Sequence, residues 1–457
     1  MKNRILTEDE IESLLFSLDD SELEGINQKS LTPLYDEIMV GGEGPYIKDS
    51  TGKSYLDCTS QAWTMNLGFS NQDIATVIAK QAKRLLHVRY GFPTIPRIKL
   101  INKLTELAPG DLNKISFNNE GGGFAIEAAV KLAMVHKPDA QMFLTCFGGY
   151  HGASLATMTL TNRLAGLVRF RPWGHDRVAR VPYPYCYRCP MGQESHNSCR
   201  LECLDYIAYT MEYGMTDKVA GIILEPMQGP GGHIPAPKEF LEGLRKLCDK
   251  NEVFMIWDES QTAFGRIGYW FAAEYYNVIP DMMGCTKAIA GGVPMGATFA
   301  REKFGSFTPA EEHTTFGSNP LMFASSLAYV TIIEKLNILP NVRSLGEYLT
   351  EGLQKIQRNS EVGQYIGDIR CPGFFIGVEL VEDPDTKKPG NGLMQDTVEA
   401  GKERGVIFGE SMPIIADNGS LYRNVLKVKP PLIVTKEHCD TILEVFEESL
   451  EEAVDYL

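Results

Sequence analysis

A chain of 457 residues, 44% hydrophobic and 23% charged, has the composition of a globular protein and is longer than one hydrophobic core usually serves, so roughly two or three packed units are expected. A formal net charge of −15 argues against a nucleic-acid surface, and no basic amphipathic stretch or uncharged apolar run of roughly 18 residues points to a membrane. The first 31 residues are polar and acidic and contain no apolar leader segment, so a cytoplasmic location is the expectation.

In chain order, residues 8–17 form a helix candidate behind the capping residue Thr7. Gly41-Gly42-Glu43-Gly44-Pro45 and Asp49-Ser50-Thr51-Gly52 read as turns of a hairpin around short apolar strands. From about residue 61 to 325, short apolar runs alternate with helical periodicity. Residues 141–145, 219–224 and 253–257 read as buried parallel strands, with helices such as 239–250 between them. This alternation predicts an α/β fold with functional groups at the C-terminal ends of the strands. The remainder, with helices over 345–357 and 443–454 around strands such as 374–381, reads as a smaller α+β unit.

Several motifs fall at those strand ends. Asp258 closes the run 253–257, and Glu225 closes 219–224 in the same way; strand-terminal acids either meet a crevice ligand or cap the next helix. Gln261 follows Asp258 by three residues, and Arg266 is expected to hold the loop rather than touch a ligand. Glu120-Gly121-Gly122-Gly123-Phe124-Ala125 precedes the amphipathic run 126–134, where free backbone N–H groups at a helix start suit a phosphate. The Gly-Lys-Ser/Thr ending of a nucleotide P-loop is missing, which argues against ATP or GTP. Tyr150, in Phe147-Gly148-Gly149-Tyr150-His151-Gly152, could cover one face of a planar cofactor. The loop 313–320 carries hydroxyls that could reach a phosphate. Lys287 lies downstream of Asp258, and a lysine with a carboxylate is the pairing that pyridoxal phosphate requires: one forms a Schiff base with the aldehyde, the other keeps the pyridine nitrogen protonated. Cys186, Cys189, Cys199 and Cys203, spaced C-x2-C and C-x3-C nine residues apart, could build a tetrahedral zinc site or simply pack as reduced thiols.

Together these words resemble the class III aminotransferases, pyridoxal-phosphate enzymes of fold type I, over residues 41–446. The core resemblance is Asp-Glu-x-Gln-Thr-x-Phe-Gly-Arg-x-Gly, then Pro-Asp, Thr-Lys-Ala and Gly-x-Pro-x-Gly-Ala. It implies a large domain over 61–325 with a mostly parallel seven-stranded sheet that binds pyridoxal 5′-phosphate. Residues 1–60 would contribute to the small domain, whose main part is 326–457. It assigns the Schiff base to Lys287, the ring-nitrogen partner to Asp258, the contact with the ring hydroxyl O3′ to Gln261, ring stacking to Tyr150 and a place beside the substrate to Glu225. Gly122 and Gly123 would face the phosphate. Thr315 resembles the threonine that reaches the phosphate of a neighbouring subunit, which implies a homodimer with shared sites. Trp63 resembles a substrate-pocket aromatic of the ω-amine members.

Two departures from the family pattern stand out. Gly121-Gly122-Gly123-Phe124 occupies the place of Ser-Gly-Ser/Thr-Glu, so phosphate binding would lean on backbone N–H groups. Lys427, in Leu426-Lys427-Val428-Lys429-Pro430-Pro431, stands where many members carry a carboxylate-binding arginine, and a point charge reads a carboxylate more loosely than a fork does. The wording around it looks more like the alanine–glyoxylate and phospholyase branch. The two lysines share one face of a strand and would suit a phosphorylated or phosphonate amine; alternatively, one faces solvent or pairs with an acid such as Glu379. The expected reaction is transfer of an amino group from an amine or amino acid to pyruvate, glyoxylate or 2-oxoglutarate. A lyase or an epimerase could use the same residues. A non-catalytic, zinc-stabilised binding protein on this scaffold is the alternative from a different class, and retention of Lys287, Asp258 and Gln261 together argues against it.

Overall fold

The computed structural model describes residues 5–18, 20–23, 26–32, 34–162, 177–193, 199–415 and 421–457. Its centre is a seven-stranded sheet in the order Lys114–Asn118, Gly296–Ala300, Met282–Cys285, Phe254–Asp258, Val219–Leu224, Met142–Cys146, Val178–Val181. The last five strands run parallel, and Gly296–Ala300 is antiparallel to both its neighbours. The central strands are apolar on both faces because helices cover both, which is why they appear in the sequence as continuous rather than alternating hydrophobic runs. Helix Lys238–Lys250 buries Phe240, Leu241, Leu244 and Cys248, one stripe of a 3.6-residue period.

Strand register decides where the chemistry lands. Trp257 pairs with Leu224 on one side and Met283 on the other, and Asp258 pairs with Gly284. Glu225, Asp258 and the Thr286-Lys287 segment therefore leave the sheet at one level of its C-terminal edge.

Smaller sheets complete the molecule. Met39–Glu43, Tyr46–Asp49 and Ser54–Asp57 form an antiparallel meander, and Val406–Ile407 adds in parallel to the last of them, so the N-terminal strands share a sheet with a C-terminal one. A five-stranded sheet contains Ile366–Arg370, Ile376–Asp383, Val425–Val428 and Gly409–Glu410, with Lys388–Pro389 beside the second. Among the described residues no single helix is long and apolar enough to cross a membrane.

Element boundaries differ from the sequence reading in instructive places. The first helix runs Glu8–Phe16 with a reciprocal capping box between Thr7 and Glu10. Gly41 and Gly42 lie in a strand, and only Gly44-Pro45 turns, with Gly44 at φ +54°. Helix Gly122–His136 begins four residues before the apolar periodicity does. Helices expected at 345–357 and 443–454 are the later parts of Ile338–Asn359 and Lys436–Val454, which start seven residues earlier and bury Ile338, Val342, Cys439 and Ile442 in their first turns.

Candidate active site

Asp258 ends its strand fully desolvated at the floor of a cavity of about 500 Å³. Burial alone would raise its pKa, but His151 donates from Nδ1 to Oδ2 at 3.0 Å, the Ser260 N–H donates to Oδ1 at 3.1 Å, and together they hold the carboxyl below its usual range. Its neighbour Glu259 points the other way, accepting the N–H groups of Ala272 and Ala273 at 2.6 and 2.9 Å and the Thr262 hydroxyl. Of the two adjacent acids, one faces the cavity and one caps a helix.

Glu225 accepts the N–H groups of Tyr150 at 2.9 Å and Gly229 at 2.8 Å, and burial pushes its pKa up to about 7. Gln261 is buried, and its Oε1 has no hydrogen-bond partner. Lys287 opens a 3-10 turn, Lys287–Ala290, with its own φ at +58°, a left-handed conformation that a side chain adopts only when its surroundings enforce it. Burial lowers the Lys287 pKa against the pull of Asp258 and Glu225.

Opposite these groups, helix Gly122–His136 starts without any side-chain cap. A Cβ on Gly122 would fall 2.8 Å from Thr286 Cγ2 and 2.9 Å from Ser260 Oγ, so only glycine lets this backbone come so close to the Lys287 segment. The fit to pyridoxal phosphate is therefore good: an ionised buried carboxylate, a buried amide able to donate from its nitrogen, a lysine of lowered pKa and uncapped helix N–H groups face one cavity. Lys287, Asp258, Gln261, Tyr150, Glu225, Gly122 and Gly123, singled out in the sequence, all line it.

A second group of residues adjoins it. Ser60, Gln61, Ala62 and Trp63 have φ of +45°, +43°, +57° and +67°, a left-handed turn without glycine. Each such residue costs about 1–2 kcal/mol, and the contacts around the turn must supply it. Arg266 does so: fully buried, it donates to Ser60 Oγ at 3.0 Å, to Asn66 Oδ1 and to the Pro430 carbonyl at 2.6 Å. It holds the loop, as expected. The turn carries the Trp63 ring centroid to 5.6 Å from Lys287 Nζ, with Lys427 and Lys429 also against its indole.

The remaining expectations divide. Thr315 is exposed and does not line this cavity. Both Lys427 and Lys429 are buried, so the expectation that one faces solvent or pairs with Glu379 is corrected: Glu379 accepts from Arg188 Nε at 2.5 Å, from Arg370 Nη1 at 2.6 Å and from Tyr185 Oη. All ten cysteines are free thiols, and among the described residues no group of three or more His, Cys, Asp or Glu is placed to hold a metal ion, so the zinc alternative at Cys186, Cys189, Cys199 and Cys203 has no assembled site. The sequence reading missed His151 as the partner of Asp258, and it missed His233, which stacks on Phe375 with centroids 3.8 Å apart and lies 5.9 Å from the Trp63 ring. His151 is adjacent to Tyr150 in the motif, which was the available signal; His233 carried none.

Comparison with known proteins agrees with this geometry. The family profile "Aminotransferase class-III" matches residues 30–450. An adenosylmethionine-8-amino-7-oxononanoate aminotransferase of Geobacter sulfurreducens is 33% identical, over 90% of this chain and 91% of its own length. A leucine/methionine racemase of Thermococcus litoralis is 32% identical, over 90% of each chain. A solved omega transaminase of Pseudomonas jessenii in complex with PMP superposes with a TM-score of 0.84 at 26% identity, over 98% of both chains. The chain belongs to the class III aminotransferases. It is an enzyme of the transferase class, and its chemistry is pyridoxal-phosphate-dependent transamination.

Proposed function

We propose that Lys287 holds pyridoxal 5′-phosphate covalently in the 500 Å³ cavity and that the enzyme moves an amino group from an amine or amino acid to a small 2-oxo acid such as pyruvate, glyoxylate or 2-oxoglutarate. The observation that carries this reading is a buried lysine of lowered pKa facing a carboxylate that His151 keeps ionised. When bound, the cofactor supplies an electron sink for the pair released at the substrate Cα. Asp258 would hold the proton on the pyridine nitrogen, and the Gln261 amide would donate to the ring oxygen. Tyr150 would cover one ring face, and the N–H groups at Gly122 and Gly123 would take the phosphate. Lys287, whose charged form burial disfavours, would remove the Cα proton; where it returns that proton separates transamination from epimerisation, the activity named for the Thermococcus litoralis relative.

The same reading includes a homodimer. Thr315 sits outside its own cavity beside the exposed Phe316, and Leu86, Phe92 and Ile95 leave further apolar surface uncovered. Exposed apolar side chains support a contact with another chain, in which Thr315 would serve the phosphate of the partner. Residues 61–325 would form the cofactor-binding domain, with 1–60 and 326–457 the small domain, in a cytoplasmic enzyme.

The test is a half-reaction. An amine donor should convert the bound aldehyde stoichiometrically to the pyridoxamine form, and borohydride reduction before donor is added should leave the cofactor on Lys287 by mass spectrometry. Stoichiometric ammonia release with the aldehyde intact, across a broad donor panel, would replace transamination by elimination. Mixed dimers of Lys287→Ala and Thr315→Ala chains should regain one intact site; a fully active monomer refutes the dimer.

A further inference from the structure

Resting on the homodimer reading above, we infer that the N-terminal helix Glu8–Phe16 docks on a second copy of this chain, in a groove between helices Gln72–Arg84 and Ile95–Leu107 over helix Pro320–Lys335. The N-terminal helix carries a largely uncovered apolar stripe. Ile11, Leu14 and Leu15 recur at i, i+3 and i+4, yet the helix buries none of its residues, and Leu14 is 71% and Leu15 62% exposed. By helical spacing Glu10 borders the stripe on one side and Glu8 and Glu12 on the other, and residues 8–16 contain no Lys, Arg or His. A nine-residue helix is too short to persist in water on propensity alone, so this stripe needs a surface to lie on. An anionic lipid surface calls for a basic polar face and does not fit.

The groove has the complementary pattern. It encloses about 580 Å³ over a floor of Val77, Leu327 and Ile332. Lys80, Arg84, Lys99 and Lys335 stand around that floor; all four are exposed, and among the described residues none has an ion pair. Asp73 is the one acid among the described residues that line the groove, and it sits in the first turn of its own helix, where the dipole favours it. An apolar stripe edged with acids thus meets an apolar floor edged with bases. The lengths agree as well: nine helical residues span about 14 Å, and the wall from Asp73 to Arg84 about 18 Å. The occupant comes from a second copy because the lip of the groove continues the surface assigned to the partner. Ile95, 62% exposed, lines the groove and belongs with Leu86 and Phe92 to the exposed apolar side chains of the homodimer reading.

The test places the photoreactive residue p-benzoylphenylalanine in the helix of the full-length holoenzyme. Leu14→p-benzoylphenylalanine, on the stripe, should give on irradiation a covalent product of twice the chain mass. Peptide mapping should find the new bond in residues 72–84, 95–107 or 320–335. Ser13→p-benzoylphenylalanine, on the polar face, should give about tenfold less of that product. Lys80→Glu combined with Lys99→Glu sets like charges against the helix and should cut the yield from position 14 by about tenfold or more. Both lysines are exposed, so the cofactor band and the melting temperature of this variant should match wild type, which separates lost docking from lost folding. A groove adduct at single-chain mass would seat the helix on its own chain and overturn the inference. So would an adduct elsewhere, no adduct, equal yields from positions 13 and 14, or a yield indifferent to the reversed charges. Native mass spectrometry of the same samples separates this inference from the reading it rests on: a dimer without the groove adduct leaves the homodimer standing, whereas a monomer overturns both.

Discussion

Glu379 and Lys427 lie on neighbouring strands of one small sheet, both fully buried, and their surroundings are opposite. Glu379 is saturated: Arg370, Arg188, Tyr185 and the Asn424 amide all donate to it, and Arg370 in turn donates to the Gly232 and His233 carbonyls. The attraction of the two arginines outweighs burial and holds the Glu379 carboxyl below its usual range. Lys427 has neither a hydrogen-bond acceptor nor a paired acid, and burial lowers its pKa to about 7. A closed network locks the Tyr185–Cys189 segment to the sheet, whereas the open site favours loss of the lysine proton. Burial alone does not distinguish the two; the state of the hydrogen bonds does.

Substitutions should separate these roles, beginning with the open side of the molecule. Lys287→Ala should lower turnover by about 10³-fold or more, since one change removes both the covalent attachment and the base. Steady-state transamination with a responsive donor measures it, and near-wild-type rates would show that another lysine carries the chemistry.

On the closed side, Glu379→Ala strips the acid from buried Arg370 and half-buried Arg188. Breaking such a network typically costs about 3–5 kcal/mol, so the melting temperature by calorimetry should fall by several degrees. An unchanged melting point would mean that the arginines find water instead. Lys427→Met should go the opposite way, raising stability by about 1–4 kcal/mol in the absence of donor, because an uncompensated buried amine is replaced by a hydrophobe of similar length. Equal signs for the two variants would erase the contrast between the sites.

That second effect should depend on pH. Between about 7, the folded value for Lys427, and about 10.4, that of an unfolded lysine, the unfolded chain binds a proton that the folded chain lacks. The contribution of Lys427 to stability therefore rises with pH through this window, and its full penalty applies below about 7. The advantage of Lys427→Met over wild type should be greatest below pH 7 and shrink toward pH 10 in paired denaturation curves. Glu225, Glu410, Lys287 and Arg370 act on Lys427 electrostatically, so the comparison is best made at constant ionic strength.

The smallest effect belongs to neither site. Thr7→Ala removes one half of the capping box of helix Glu8–Phe16, worth about 0.5–2 kcal/mol to that helix, yet the helix buries none of its residues. Amide exchange within 8–16 should quicken while the global melting point stays put.

The sequence alone determined the strand-end acids, the lysine that follows them and the glycine-rich helix start. Each is announced locally: a short apolar run must end somewhere, and in a parallel α/β sheet its C-terminal end is where a ligand crevice lies. It also pointed Lys427 and Lys429 to one side of an extended segment, by the alternation of such backbone, although the strand itself ends at Val428. Only the tertiary structure decided what those groups meet. His151 reaches Asp258 across 107 positions and Arg188 reaches Glu379 across 191, and no periodicity spans such separations. The left-handed turn at Ser60–Trp63 has no glycine to announce it and persists because Arg266, 206 positions from Ser60, holds it in place. Whether a lysine on a strand faces solvent or a desolvated aromatic pocket depends on which loops fold over it, and here the answer is Trp63, delivered from the far end of the chain by that turn.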